Sequence, residues 1–203
     1  MARFVVAITG GVASGKSVVT RIFAAFGIAV ADADEVAREI VRPGQPALLE
    51  LVDCFGADIL LADGSLDRAR MRAIAFDCDE SRMKLQAITH PRIRMELQQR
   101  CDSAAGPYAI VAIPLLAETG ATKAYSWLSR ILVVDAPVEL QRLRLMTRDG
   151  IDEKLAERII RSQAERRERL AIATDVIIND GLPSELPDSV ARLHLHFSRM
   201  TLA

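Results

Sequence analysis

Gly10-Gly11-Val12-Ala13-Ser14-Gly15-Lys16-Ser17 is the stretch of this sequence whose residue types and spacing dictate a chemistry. It fits G-x-x-x-x-G-K-[ST], and it stands between an apolar strand pattern and a helical one, as a phosphate-binding loop requires. Glycines let the backbone turn tightly, so that successive N–H groups converge on a β-phosphate. The positive end of the following helix adds its field. In such a loop Lys16 reaches the β- and γ-phosphates of a nucleotide, and Ser17 ligates Mg²⁺. The ordinary alternative, a glycine-rich turn that binds nothing, explains neither the lysine nor the serine. ATP·Mg²⁺ is the expected ligand.

Asp32-Ala33-Asp34 follows the second apolar run. That placement puts it at the carboxyl edge of a sheet, where open α/β folds bind their ligands. A kinase acting on a hydroxyl needs a carboxylate to take up or orient its proton, and often a second to help hold the metal. An extended segment would point the two side chains opposite ways, so that one alone faces the reacting centre. His90-Pro91-Arg92 and Arg68 carry chemistry-capable groups too. A lone histidine, or an arginine at a helix start, is more often structural.

Elements able to position these residues are visible in the pattern. Phe4–Ile8, Ala109–Ile113, Ile131–Val134 and Val176–Ile178 read as buried parallel strands, with Ile28–Ala31 a shorter fifth. Val18, Val19, Ile22, Phe23 and Phe26, ended by Gly27, make a helix after the first of them. The fold class is therefore α/β: a five-stranded parallel sheet crossed right-handedly. Helical periods dominate residues 34–107, expected to be a lobe inserted into a core of 1–33 and 108–203. Residues 142–170 form a helical lid. Within 142–169 lie nine of the chain's 26 basic residues. Asp152 is a candidate N-cap there, and Glu157–Arg161 and Glu165–Arg169 have the favourable i,i+4 order. Arg144 and Arg148 precede that helix and flank a turn at Met146-Thr147, from which they could close over phosphates. A loop and a last helix follow Gly181.

Composition closes other routes. The chain has 203 residues, a formal net charge of −1 and 50% hydrophobic residues, which suits one soluble domain without a nucleic-acid or membrane partner. Its longest apolar run, residues 108–117, falls short of the ~20 a membrane span needs. Cys54, Cys78 and Cys101 have no C-x-x-C spacing, which favours free thiols and a cytoplasmic setting. Asp53-Cys54-Phe55-Gly56 matches the D-x-x-G of GTPase switches but sits in a helical pattern, and N-K-x-D is absent. Another P-loop small-molecule kinase, such as one for a nucleoside monophosphate, would share the same phosphate-binding half.

Read in order, the pieces resemble one family, the dephospho-CoA kinases. They are Thr9-Gly10-Gly11 into Gly15-Lys16-Ser17, Asp32-Ala33-Asp34, Pro43-Gly44, Phe55-Gly56 and residues 63–68. Ile88-Thr89-His90-Pro91, Pro114-Leu115-Leu116 with Glu118, Gln141 with Arg144 and Arg148, Gln163, and Asn179 with Gly181 complete the set. The resemblance implies transfer of the ATP γ-phosphate to the ribose 3′-hydroxyl of dephospho-CoA by a monomer or weak homo-oligomer. It implies Asp34 as base, with Lys16 and Arg144 stabilising the transferring group. Gly10, Gly11, Ala13, Ser14, Gly15, Lys16, Ser17 and Val18 would hold the nucleotide, with Arg148, Asn179 and Gly181 over it. Ser17 and Asp32 would hold the metal. Thr9, Asp34, Arg68 and His90, with Arg92, Leu115 and Leu116, would meet the acceptor.

Three positions depart from the family pattern. Ala13 replaces a glycine, which a negative φ would tolerate. Val18 replaces a threonine, with loss of a hydroxyl near the α-phosphate. Ala117 replaces an aromatic before Glu118, leaving a smaller packing surface there.

Overall fold

The computed structural model describes residues 4–118 and 121–201. Its core is a five-stranded sheet, every pairing parallel, in the order β2-β3-β1-β4-β5. The strands are β1 (Val5–Gly10), β2 (Ala29–Asp32), β3 (Ala109–Ala112), β4 (Arg130–Asp135) and β5 (Asp175–Ile178). All five apolar runs singled out in the sequence are strands, each displaced by a residue or two at its ends. β1 is central and buried at all six residues, as its two neighbours and helix-covered faces demand.

The helices are α1 (Lys16–Ala25), α2 (Ala33–Glu39), α3 (Pro46–Phe55), α4 (Arg68–Asp77) and α5 (Asp79–Ser103). A short α6 (Ala121–Ala124), α7 (Val138–Asp149), α8 (Glu153–Arg161), α9 (Arg166–Ala171) and α10 (Leu186–Met200) follow. Two compact units result: the described residues up to Asp32 together with those from Arg100 onward, and Ala33–Gln99. In the first, α1 buries Val19 and Phe23, and α10 buries Leu186, Val190 and Phe197, all in one cluster with the sheet. Phe197 meets Tyr108 edge-on at 5.7 Å. Truncating such an aromatic would cost about 3–5 kcal/mol. The second unit has its own core of Val41, Ala47, Leu51, Ile59 and Met71. Among the described residues no helix is long and apolar enough to cross a membrane; Cys54 and Cys78 are exposed thiols, and Cys101 is buried.

Register decides what gathers at the carboxyl edge. Asp32 pairs with Ala112, and Ala112 with Ile8. With strands about 4.8 Å apart, Asp32 stands roughly 10 Å along that row from β1. On the other side Gly10 is level with Val134, and the Asn179 N–H donates to the Asp135 carbonyl at 2.7 Å.

Four local expectations change. The chain does not run extended through Asp32-Ala33-Asp34: β2 ends at Asp32, α2 begins at Ala33, and Asp34 sits in the first helical turn. A helix start favours carboxylates, so Asp34 and Glu35 suit the position. No turn interrupts Met146-Thr147: α7 carries both Arg144 and Arg148 and ends at Gly150, whose φ of 66° closes it. The Thr147 hydroxyl donates back to the Leu143 carbonyl at 2.9 Å, which keeps this β-branched residue satisfied inside the helix. Asp152 does cap α8, accepting from the Leu155 N–H at 2.7 Å, and Glu157–Arg161 pairs at 3.5 Å. Glu165, however, caps α9 in a box with Glu168, and Arg169 is buried instead of pairing with it on the surface.

The fourth change concerns the loop itself. Ala13 has φ 55°, and among the described residues it alone is left-handed without being glycine. Gly10 and Gly15 flank it at φ 151° and 101°, where a Cβ would collide with the Val134 carbonyl and the Asn179 amide. A left-handed alanine costs about 1–2 kcal/mol of steric strain, part of which a glycine would return as unfolded-chain entropy. Ala13→Gly is therefore expected to raise the melting midpoint by about 1–3 °C, the equivalent of roughly 0.5–1 kcal/mol at this chain length. A fall of more than about 2 °C in a thermal scan would contradict the strain at Ala13.

Candidate phosphate-binding site and acceptor cavity

The loop from Gly10 to Ser17 joins the buried end of β1 to the N-terminus of α1, so its N–H groups open at the sheet's carboxyl edge. The Lys16 ammonium donates to the Gly10 carbonyl at 2.7 Å and the Gly11 carbonyl at 2.9 Å. Those bonds hold the cation across the loop's mouth. Ser17 is exposed in the first turn of α1, whereas Val18 turns inward and packs against the main apolar cluster. The hydroxyl that Val18 lacks is thus replaced by core burial.

Asn179, at the end of β5, is buried and faces the loop. Its amide donates to the Ser14 carbonyl at 2.7 Å, and its side-chain oxygen accepts from Arg144 Nη2 at 3.4 Å. Arg144 Nη1 is buried with no hydrogen-bond partner among the described residues, as is the Ser14 hydroxyl. A buried guanidinium N–H without an acceptor is costly, and an anionic oxygen would relieve it. Arg148 stands one turn further along α7. Its guanidinium is mostly solvent-exposed and chelated by Asp149 at 2.7 and 2.9 Å, which holds its pKa above the ordinary arginine value. Gly181 lies two residues past Asn179, exposed.

A polar layer behind the loop carries residues to which the sequence reading gave no role. The Gln163 side-chain oxygen accepts from the Val12 N–H at 2.7 Å, and Glu118 accepts from the Ala164 N–H at 2.8 Å. Asp135 accepts three hydrogen bonds from Arg166 at 2.7–3.1 Å. Arg169 donates to the Ala164 carbonyl, and its burial pulls its pKa down, with Glu118 and Asp135 acting against that. Gln141 is buried and donates to the Ala136 carbonyl at 2.7 Å. One signal was available for Asp135: it is the sole carboxylate ending the apolar run of β4, at the same sheet edge as the loop.

Of the other expected residues in this unit, Thr9 is fully buried and its hydroxyl donates to the Pro114 carbonyl at 3.3 Å. Leu115 is half exposed, but Leu116 is fully buried and presents no surface. Asp32 is partly buried at the end of β2. Among the described residues no cluster of three His, Cys, Asp or Glu side chains could hold a metal. A hydroxyl from Ser17 and a carboxylate from Asp32 are hard oxygen donors. They suit Mg²⁺, which keeps most of its shell as water and substrate phosphate.

The unit Ala33–Gln99 holds a cavity of about 420 Å³. Arg68, Arg72 and Arg82 stand in its lining with Phe76, Thr89 and His90, and among the described residues no carboxylate lines it. Such a wall suits a ligand with an apolar body and anionic groups. Asp67 caps α4 through the Arg70 N–H at 3.0 Å, and so presents Arg68 as the first residue of that helix. Burial, with Arg94 nearby, pushes the His90 pKa below its ordinary value. Arg92 does not line the cavity. Its guanidinium is spent on Glu50 and on the Ile88 carbonyl, just before the Pro91 that interrupts the ladder of α5. Asp34 is exposed on α2.

Comparison with known proteins agrees along nearly the whole chain. The family model for dephospho-CoA kinase matches residues 4–185. A dephospho-CoA kinase of Xanthomonas oryzae pv. oryzae is 52% identical over 193 residues, 95% of either chain. Among solved structures, TT1252 from Thermus thermophilus superposes with a TM-score of 0.83 at 28% identity, covering 97% of this chain and 98% of its own. The dephospho-CoA kinase from Campylobacter jejuni superposes with a TM-score of 0.69 at 26% identity, covering 96% and 97%. With its intact phosphate loop, parallel sheet and near-complete match, the chain belongs to the dephospho-CoA kinase family.

Proposed function

We propose that the chain transfers the γ-phosphoryl group of ATP to the 3′-hydroxyl of dephospho-CoA, giving coenzyme A and ADP, through the residues placed above. The observation that carries the residue assignment is the buried, unpartnered nitrogen of Arg144. It sits on Asn179, which itself holds the phosphate loop. A site short of one acceptor is complementary to a bound polyphosphate.

ATP enters along the loop, and Lys16 exchanges the Gly10 and Gly11 carbonyls for phosphate oxygens. Arg144 meets the transferring group with its unused N–H. Arg148 would have to leave Asp149 to do the same, so its contribution comes late, on closure of the lid around α7 and α8. Asn179 and Gly181 border the adenine. When bound, Mg²⁺ supplies neutralisation of the β- and γ-phosphate charge, with Ser17 and Asp32 as its protein ligands. Little covalent help is needed. Positioning and fixed charge supply most of the acceleration.

On the acceptor side, Arg68 and His90 recognise dephospho-CoA from the cavity wall, and Arg92 steadies α5 beside His90. Leu115 adds apolar surface, with Thr9 and Leu116 shaping the backbone from within. Asp34 aligns the 3′-hydroxyl and takes its proton. Its place in the first turn of α2, directly after β2, ties it to the same chain segment as Asp32.

Lys16→Ala and Asp34→Asn are each expected to lower kcat at least ~10²-fold with a melting midpoint within about 2 °C of the parent. Near-normal turnover of folded Asp34→Asn would remove it as the base. Arg144→Ala should slow transfer in single-turnover stopped flow more than it weakens resting ATP binding, if its contact is stronger to the transferring group than to resting ATP. Unchanged transfer with weakened binding would reverse that assignment.

A further inference from the structure

The geometry points to Gln163 as a positioning residue of the phosphate cradle, one jaw of a clamp that holds Ala13 in its left-handed conformation before any nucleotide arrives. A strained backbone persists only where its surroundings over-determine it. Here the residues on either side of Ala13, Val12 and Ser14, are both held from far along the chain. The Val12 N–H is taken by Gln163, 151 residues on, and the Ser14 carbonyl by Asn179, 165 residues on, each at 2.7 Å. The Ser14 N–H closes the turn onto the Gly11 carbonyl at 3.2 Å.

Both jaws are rooted in rigid structure. Asn179 hangs from the end of β5 by its own N–H on Asp135. Gln163 lies between α8 and α9, and its neighbour Ala164 is tied on both sides. Glu118 accepts the Ala164 N–H, and the buried Arg169 donates to its carbonyl. Glu165 then caps α9, and Arg166 fastens that helix to Asp135. A displacement of the α8–α9 junction therefore reaches Val12 through a single hydrogen bond. An alanine at position 13 needs such a clamp. A glycine there would adopt the left-handed turn without steric strain and so depend less on the clamp.

This inference takes from the proposed function only that the loop cradles a nucleotide, and its test needs no acceptor. ADP is titrated calorimetrically into the parent, Gln163→Met, Ala13→Gly and the double variant. Gln163→Met should weaken ADP binding about tenfold when position 13 is alanine. In the Ala13→Gly background the same substitution should cost no more than about threefold, because glycine depends less on the missing bond. Gln163→Glu, which retains an accepting oxygen, should stay within about threefold of the parent. It also keeps the test open if Gln163→Met does not fold. An unchanged affinity in Gln163→Met, an equal loss in both backgrounds, or a tenfold loss with Gln163→Glu would each overturn the clamp. A parent that binds ADP but does not phosphorylate dephospho-CoA would undo the functional reading alone.

Discussion

A phosphate loop has to keep its N–H groups converged on empty space, and in this chain that constraint falls on the turn between Gly10 and Ser17. Glycine supplies the freedom where the backbone would otherwise meet the Val134 carbonyl or the Asn179 amide. At Ala13 the conformation is imposed instead, by hydrogen bonds that arrive from β5 and from the α8–α9 junction. The sheet exists, in functional terms, to bring those distant residues level with the end of β1. Register does this: Gly10 beside Val134, and Asp135 beside Ile178, one residue before Asn179.

Charge is arranged on the same framework. Asp135 is buried at the sheet's edge and engaged by Arg166, so it anchors α9 to β4. Arg169 is buried behind the loop at a depressed pKa, and Arg144 keeps one donor unused. Buried cations without matched acceptors are unfavourable in an empty protein, and an incoming polyphosphate makes them favourable. In the second unit a cavity lined by three arginines, and by no carboxylate among the described residues, has the same logic on a smaller scale. His90 stands in the same wall, its pKa lowered by burial.

Much of this was legible in residue order. The strands could be read because parallel sheets bury both faces and leave near-continuous β-branched runs. The phosphate loop could be read because its glycines and lysine answer to backbone sterics and to a ligand, both of which are local. What could not be read depends on contacts from far away. Nothing near Ala13 says that its φ is positive, since its neighbours Val12 and Ser14 are held by residues 151 and 165 positions further along than themselves. Arg144 and Arg148 looked like the flanks of a turn at Met146-Thr147. Gly150 ends α7 instead, and the threonine hydroxyl is satisfied within the helix. Arg169 looked like one arm of a surface ion pair, and only its burial shows otherwise. Arg92 and Leu116 stand where the family pattern led, yet one is engaged by Glu50 and the other is sealed in the core.

Under the proposed function, the nucleotide cradle and the cationic cavity serve one reaction on one acceptor. Its most direct test is ADP release from ATP·Mg²⁺ with dephospho-CoA, run beside AMP, CMP and adenosine. Strong turnover is expected with dephospho-CoA alone, with coenzyme A as the product. Preference for a simple nucleotide would contradict it, leaving the phosphate loop's role intact and removing the assignments of Arg68, His90 and the cavity around them.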